Sequence, residues 1–189
     1  MPRSRRAQSA SAPQRPKATR RRREALPERD LGFYTFRLSD VMTRKVAVAR
    51  VTDSLEAAAS AMSRRRVSGV PVVDGQRRVV GVLSQKDIVR VLHDRHGLSL
   101  PGGVFDLVLD AGRAGRSDLP AKCLATLKAT TVGDAMSRSP VTVPPTARID
   151  ESIRLMIERG FNRLPVVRNG KLVGIVTRTD LLTGSARPA

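Results

Sequence analysis

Two short phrases carry residues whose types and spacing could do chemistry: Ser84-x-x-Asp87 and Thr177-x-x-Asp180. Each follows an apolar run with one glycine, VVGVL at 79–83 and LVGIV at 172–176, and each leads back into an apolar stretch. A hydroxyl and a carboxylate three residues apart, where a strand hands over to a helix, have two uses. They can close the helix on itself as a capping box, with the acid also suited to the helix dipole. They can also hold a ligand. A helix start presents free backbone N–H groups, and the carboxyl end of a strand is where α/β folds tend to place ligands. An ionised Asp accepts two hydrogen bonds at once, which matches the vicinal 2′- and 3′-hydroxyls of a ribose. Glu would cap as well as Asp, so Asp in both phrases leans toward the diol. The spacing alone leaves both uses open.

Other reactive groupings are thin. His93 and His96 stand at i, i+3 with no third or fourth ligand nearby, which argues against a metal site. Two histidines and one cysteine supply no catalytic triad. Cys123 reads as a small apolar filler. There is no Walker loop and no G-x-G-x-x-G. The run 64–66, three arginines, ends a helix where cations suit the dipole, or lends charge to a phosphate cleft. A non-enzymatic protein is expected.

The elements that must position the two phrases are duplicated. A shift of 94 residues lays Asp40, Met42, Arg44, Thr52, Met62, Pro71, Val72 and Val73 on Asp134, Met136, Arg138, Thr146, Met156, Pro165, Val166 and Val167. Past a one-residue deletion in a turn the shift becomes 93, and Gly81, Ser84 and Asp87 fall on Gly174, Thr177 and Asp180. Each copy opens with a short extended piece, at 46–48 and 141–143. An amphipathic helix follows. In the first copy Asp53 and Glu56 have capping-box spacing, and Leu55, Ala59 and Met62 form the stripe. In the second, Ile149, Ile153, Met156 and Ile157 form it. Two β-branched runs then flank a turn, and the second helix starts at Ser84 or Thr177. Strands apolar throughout are expected to be covered on both faces. The fold class predicted is α/β (α+β): two β-α-β-β-α repeats, each with a small three-stranded sheet, packed sheet to sheet with pseudo-two-fold symmetry. One repeat alone would expose too much apolar surface.

The domain limits expected are 1–34 for an Arg-rich tail, 35–95 for the first repeat, 96–130 for an insert, 131–184 for the second repeat and 185–189 for a C-terminal tail. Short helices are expected in the insert at 104–111 and 121–127, packed over the edge of the pair. The chain carries 35 basic and 17 acidic residues, a net +18. Residues 1–37 hold 11 of the former and 3 of the latter. With almost no large apolar side chains, the tail is expected to be disordered. Its arginines suit a solvated arm, a nucleic-acid or other phosphate-rich partner, or an organellar transit peptide. One cysteine fits a reducing compartment, and a cytoplasmic location is expected. No apolar run approaches the ~20 residues of a membrane span.

Taken together, DVMTRKVAVARVTDSLEAAASAM, GVPVVD and VVGVLSQKDI in the first copy resemble a CBS (cystathionine-β-synthase) domain. DAMSRSPVTVPPTARIDESIRLM, RLPVV and LVGIVTRTDLL in the second do so as well. The chain is thus similar to stand-alone tandem CBS pairs, often called Bateman modules. The resemblance implies a regulatory module with no cofactor and an adenosyl effector, AMP, ADP, ATP or S-adenosylmethionine, in a cleft between the repeats. It implies ribose contacts from Ser84, Asp87, Thr177 and Asp180. It implies phosphate contacts from Arg163, at a position that is Gly69 in the first copy, and from Arg178. The Thr177–Asp180 cleft is therefore expected to be the better phosphate site. The base would lie against Lys45, Val46, Val48, Pro140, Val141, Thr142, Val70, Val72, Leu164 and Val166. A homodimer acting on a regulated protein is implied. The alternative is a dimerising scaffold whose basic tail binds nucleic acid, with no nucleotide bound.

Overall fold

The structure, a computed structural model, describes residues 36–97 and 120–183. The expectations for the N-terminal tail, the helix at 104–111 and the C-terminal tail lie outside these residues. The first repeat runs α1 (Leu38–Val41), β1 (Ala49–Arg50), α2 (Leu55–Arg64), β2 (Gly69–Val73), β3 (Val79–Ser84) and α3 (Gln85–His96). The insert contributes α4 (Ala121–Ala129). The second repeat runs α5 (Val132–Ala135), β4 (Ser137–Arg138), α6 (Ile149–Arg159), β5 (Arg163–Arg168), β6 (Lys171–Thr177) and α7 (Arg178–Thr183).

Local chemistry explains the element ends. Ser54, not Asp53, caps α2: its hydroxyl accepts from Ala57 N at 3.1 Å. Asp53 instead accepts from Arg50 N at 2.7 Å and closes the turn before the helix. The first hairpin is tied by Asp74, which accepts from Gln76 N and Arg78 N and pairs with the Arg78 guanidinium at 2.7 Å. The second turns on Asn169–Gly170, both with positive φ, as a two-residue loop requires.

The four-stranded sheet has the order β1-β2-β3-β4, with β1 parallel to β2 and the other pairs antiparallel. Its outer strand β4 belongs to the second repeat. In return, Thr43 of the first repeat exchanges backbone hydrogen bonds with Ile175 of β6 at 2.9 and 3.0 Å. On the other side of the β5–β6 hairpin, Val143 bridges in parallel to Val166. The first sheet is thus wider than the three strands expected of one repeat, because the other repeat supplies an edge, while the second is the two-stranded β5–β6 pair flanked by these isolated bridges. This leaves fewer bare strand edges. The parallel strand also falls later than expected, at Ala49–Arg50 rather than 46–48.

The short lead-in helices are exchanged in the same way. Leu38 and Val41 of α1 join the core built on α6, β5, β6 and α7. Val132 and Ala135 of α5 join the core built on α2, β2, β3 and α3. Neither repeat has a complete core without the other. The insert helix α4 packs on α2 and α3 and adds Cys123 and Leu127, both fully buried, to the first core. Repeat two has no counterpart of α4 among the described residues. There Ile157, expected in the buried stripe of α6, is 67% exposed.

The single glycine in each apolar run has a packing reason. A Cβ on Gly81 would strike Met136, and one on Gly174 would strike Met42. Each methionine comes from the opposite repeat, so the glycines let the lead-in cross its partner's strand. Gly81→Ala and Gly174→Ala are each expected to destabilise the fold by about 1–2 kcal/mol through overpacking. Urea unfolding should show a lower midpoint at unchanged slope.

Candidate functional site

Ser84 and Thr177 end β3 and β6 and begin α3 and α7. In both, the following aspartate closes its helix with one oxygen only. Asp87 Oδ2 accepts from Ser84 N at 2.9 Å and from Ser84 Oγ. Asp180 Oδ2 accepts from Thr177 N and Oγ1, both at 2.8 Å. Both carboxylates are buried, Asp180 to 1% exposure. Their second oxygens differ. Asp87 Oδ1 accepts from Arg90 Nη2 at 3.0 Å and Ser137 Oγ at 3.4 Å. Asp180 Oδ1 is buried with no hydrogen-bond partner. An acceptor left so is costly, on the order of 1–3 kcal/mol, which a donor from a bound molecule would offset.

Two cavities flank the meeting of the repeats, and their linings follow the 94- and 93-residue shifts. The first, of about 460 Å³, is lined by Thr43, Lys45, Val46 and Ala47 from the first lead-in, Ser68 and Gly69 before and in β2, and Thr177, Arg178 and Asp180 from the second repeat. The second, of about 610 Å³, is lined by Ser137, Ser139, Pro140 and Val141 from the second lead-in, Asn162, Arg163 and Pro165, and Ser84, Lys86, Asp87 and Arg90 from the first repeat. Both volumes lie in the roughly 300–1,000 Å³ span of small-molecule pockets. Cations outnumber acids in each. Lys45, Arg65, Arg163 and Arg178 face one aspartate in the first, and Lys86, Arg90, Arg138, Arg159 and Arg163 face one in the second. Such walls favour an anion.

Arg163 lines both cavities. Its guanidinium lies over the Gly69 backbone, and Nη2 donates to Ser68 Oγ. Burial pulls its pKa below the ordinary guanidinium value. No carboxylate of the described residues forms a salt bridge with it, so among these residues it is a partly desolvated cation without a counterion. Arg178 also lines the Asp180 cavity, with its guanidinium donating to the Phe161 carbonyl at 3.1 Å.

The structure brings Thr177, Asp180, Arg163, Arg178, Lys45 and Val46 to one cavity, and Ser84, Asp87, Arg163, Pro140 and Val141 to the other. Val48 and Thr142 line neither. The expected base-lining strand residues are displaced by one position. Val70, Val72, Leu164 and Val166 are at most 2% exposed and belong to the two apolar cores. Alternate side chains of a strand face opposite ways. Gly69 of β2 and Arg163 and Pro165 of β5 therefore face the cavities instead. Sequence reasoning missed Thr43 with Ser137 and Ser68 with Asn162. Both pairs are polar residues at equivalent positions of the two copies, and that recurrence could have flagged them.

His96 bonds Thr126 Oγ1 at 2.8 Å between α3 and α4, away from both cavities. Among the described residues no cluster of three His, Cys, Asp or Glu could hold a metal ion. No described helix is long and apolar enough to cross a membrane.

Comparison with known proteins gives the same outline. The family model described as "CBS domain" matches residues 38–94 and 132–187. An uncharacterized protein of Methanocaldococcus jannaschii, MJ1426, is 30% identical over 149 residues, 77% of this chain and 88% of its own length. The chloroplastic CBS domain-containing protein CBSX2 of Arabidopsis thaliana is 31% identical over 154 residues, 80% of this chain and 63% of its own length. Among solved structures, the CBS domain of a CBS-domain-containing membrane protein from Sphaerobacter thermophilus superposes with a TM-score of 0.64. It has 29% identity over 80% of this chain and 89% of that one. CBSX2 in complex with AMP superposes with a TM-score of 0.58, at 26% identity over 79% of this chain and 95% of that one.

Proposed function

This chain belongs to the CBS-domain family and carries the domain twice, and from that premise we propose that it is a non-enzymatic sensor of an adenosyl ligand such as AMP, ADP, ATP or S-adenosylmethionine. The ligand sits in the Asp180 cavity. One observation carries the reading: Asp180, whose Oδ1 is buried and unpartnered, lines an open, cationic cavity. A ribose diol would supply the missing donors, and Arg163 and Arg178 would face the phosphate. Lys45, Val46 and Ala47 come from the other repeat and would flank the base. The AMP complex of CBSX2 supports this choice of ligand class.

A ligand held by both repeats binds one arrangement of them better than another and shifts the population toward it. The changed surface would then be read by a regulated protein, with the module acting as a homodimer. Calorimetric titration of the full chain with AMP, ATP and S-adenosylmethionine tests the reading. Saturable binding of at least one is expected. A folded protein that takes up none of the three would leave helix closure as the sole role of the aspartates.

A further inference from the structure

The two cavities are twins by descent and unlike in chemistry, and the difference lies in who holds the second oxygen of the aspartate. In the Asp87 cavity that oxygen is held by Arg90 and Ser137. Arg90 is anchored a second time, donating to the Ala135 carbonyl of the opposite repeat at 3.2 Å. In the Asp180 cavity the equivalent of Arg90 is Thr183, whose hydroxyl donates to the Thr179 carbonyl at 2.9 Å. The equivalent of Ser137 is Thr43, whose backbone pairs with Ile175. Neither reaches Asp180 Oδ1, which stays without a partner.

A guanidinium on a carboxylate makes a charge-assisted hydrogen bond, stronger than one from a sugar hydroxyl. Arg90 therefore stands where a diol would have to donate. Resting on the nucleoside reading above, we infer that Arg90 is an internal occupant of the diol position in the Asp87 cavity, so that one chain takes a single nucleoside ligand, in the Asp180 cavity. The Arg90 side chain is half exposed, while that of Asp87 is buried, so the occupant sets affinity rather than closing the cavity.

Adenosine is the probe, because it carries the diol and no phosphate, and losing a cation from the wall then has little direct effect. Calorimetry on the wild-type full chain is expected to give one equivalent. Arg90→Thr, which installs the residue of the other repeat, is expected to give two. Asp180→Ala combined with Arg90→Thr is expected to give one, from the Asp87 cavity alone. In the reciprocal direction Thr183→Arg is expected to weaken the wild-type site roughly tenfold, about what one hydrogen bond to a charged group contributes. Two equal sites in the wild-type chain would overturn the inference and leave the sensor reading intact. One site in both wild type and Arg90→Thr would do the same. No uptake by either would overturn both. Uptake by Arg90→Thr but not by wild type would uphold the occupant and overturn the choice of the Asp180 cavity. Should Arg90→Thr fold poorly for want of its bond to Ala135, Thr183→Arg decides by itself, and an unchanged affinity there overturns the inference.

Discussion

Asp180→Ala is expected to weaken AMP binding about 100-fold or more, while Asp87→Ala changes it by no more than about threefold. The size follows from two hydrogen bonds between a carboxylate and a diol, each contributing about 1.5–3 kcal/mol when one partner is charged. Both substitutions remove the same helix closure, the bonds from Ser84 or Thr177 to Oδ2. Losing a cap costs about 0.5–2 kcal/mol, so both variants should melt below the wild type, Asp87→Ala the lower of the two because it also gives up the bonds from Arg90 and Ser137. An affinity loss confined to Asp180→Ala, the variant with the smaller stability loss, identifies a ligand contact, and equal affinity losses would assign the aspartates to capping alone. The wild-type chain offers a second check without mutation. 2′-Deoxy-AMP lacks one donor of the diol and should bind at least tenfold more weakly than AMP, by the same reckoning.

Arg163→Gln is expected to weaken AMP binding about 10–100-fold and adenosine binding no more than about threefold. Arg163 is the cation with the strongest physical reason to seek an anion. It is partly desolvated, its pKa is pulled down by burial, and it donates to a neutral hydroxyl, Ser68 Oγ. A phosphate would restore the charge-assisted bonds that burial withholds, each contributing about 1.5–3 kcal/mol. Removing a partly desolvated charge that has no carboxylate partner among the described residues carries no matching loss for the empty protein and can stabilise it. Arg163→Gln should therefore melt at or above the wild-type temperature while binding AMP poorly. If adenosine and AMP lose affinity together, Arg163 is shaping the cavity and does not contact phosphate. This one guanidinium faces both cavities, although the position is arginine in only one copy.

Much of the fold is written in the chain because it is local or repeated. The helix stripes of α2 and α6 follow from apolar spacing, with Leu55, Ala59, Met62, Ile149 and Met156 all buried. The hairpins follow from their turns, and the junctions at Ser84 and Thr177 from hydroxyl-acid spacing. Matching the two copies under shifts of 94 and 93 also paired the residues that line the two cavities, since equivalent residues occupy equivalent places in a pseudo-symmetric pair. Less legible were features in which one repeat enters the other. The capping choice between Asp53 and Ser54 turned on where the chain leaves β1, and the expected base wall at Val70, Val72, Leu164 and Val166 on which face of a strand meets the helices. A run apolar at every position gives no sign of that.

By itself, the order of residues determined that this protein is a doubled α/β unit bearing an alcohol and an acid at each strand-to-helix junction. It could do so because propensity, periodicity and duplication are properties of neighbours along the chain. Only the folded arrangement decided that α1 and α5 trade cores, that Arg163 stands between two cavities, and that the second oxygen of Asp87 is already engaged while that of Asp180 is not. Those outcomes depend on contacts between residues far apart in the chain, such as Ser137 with Asp87 or Met136 with Gly81, and packing of the two repeats against each other is what brings them within reach.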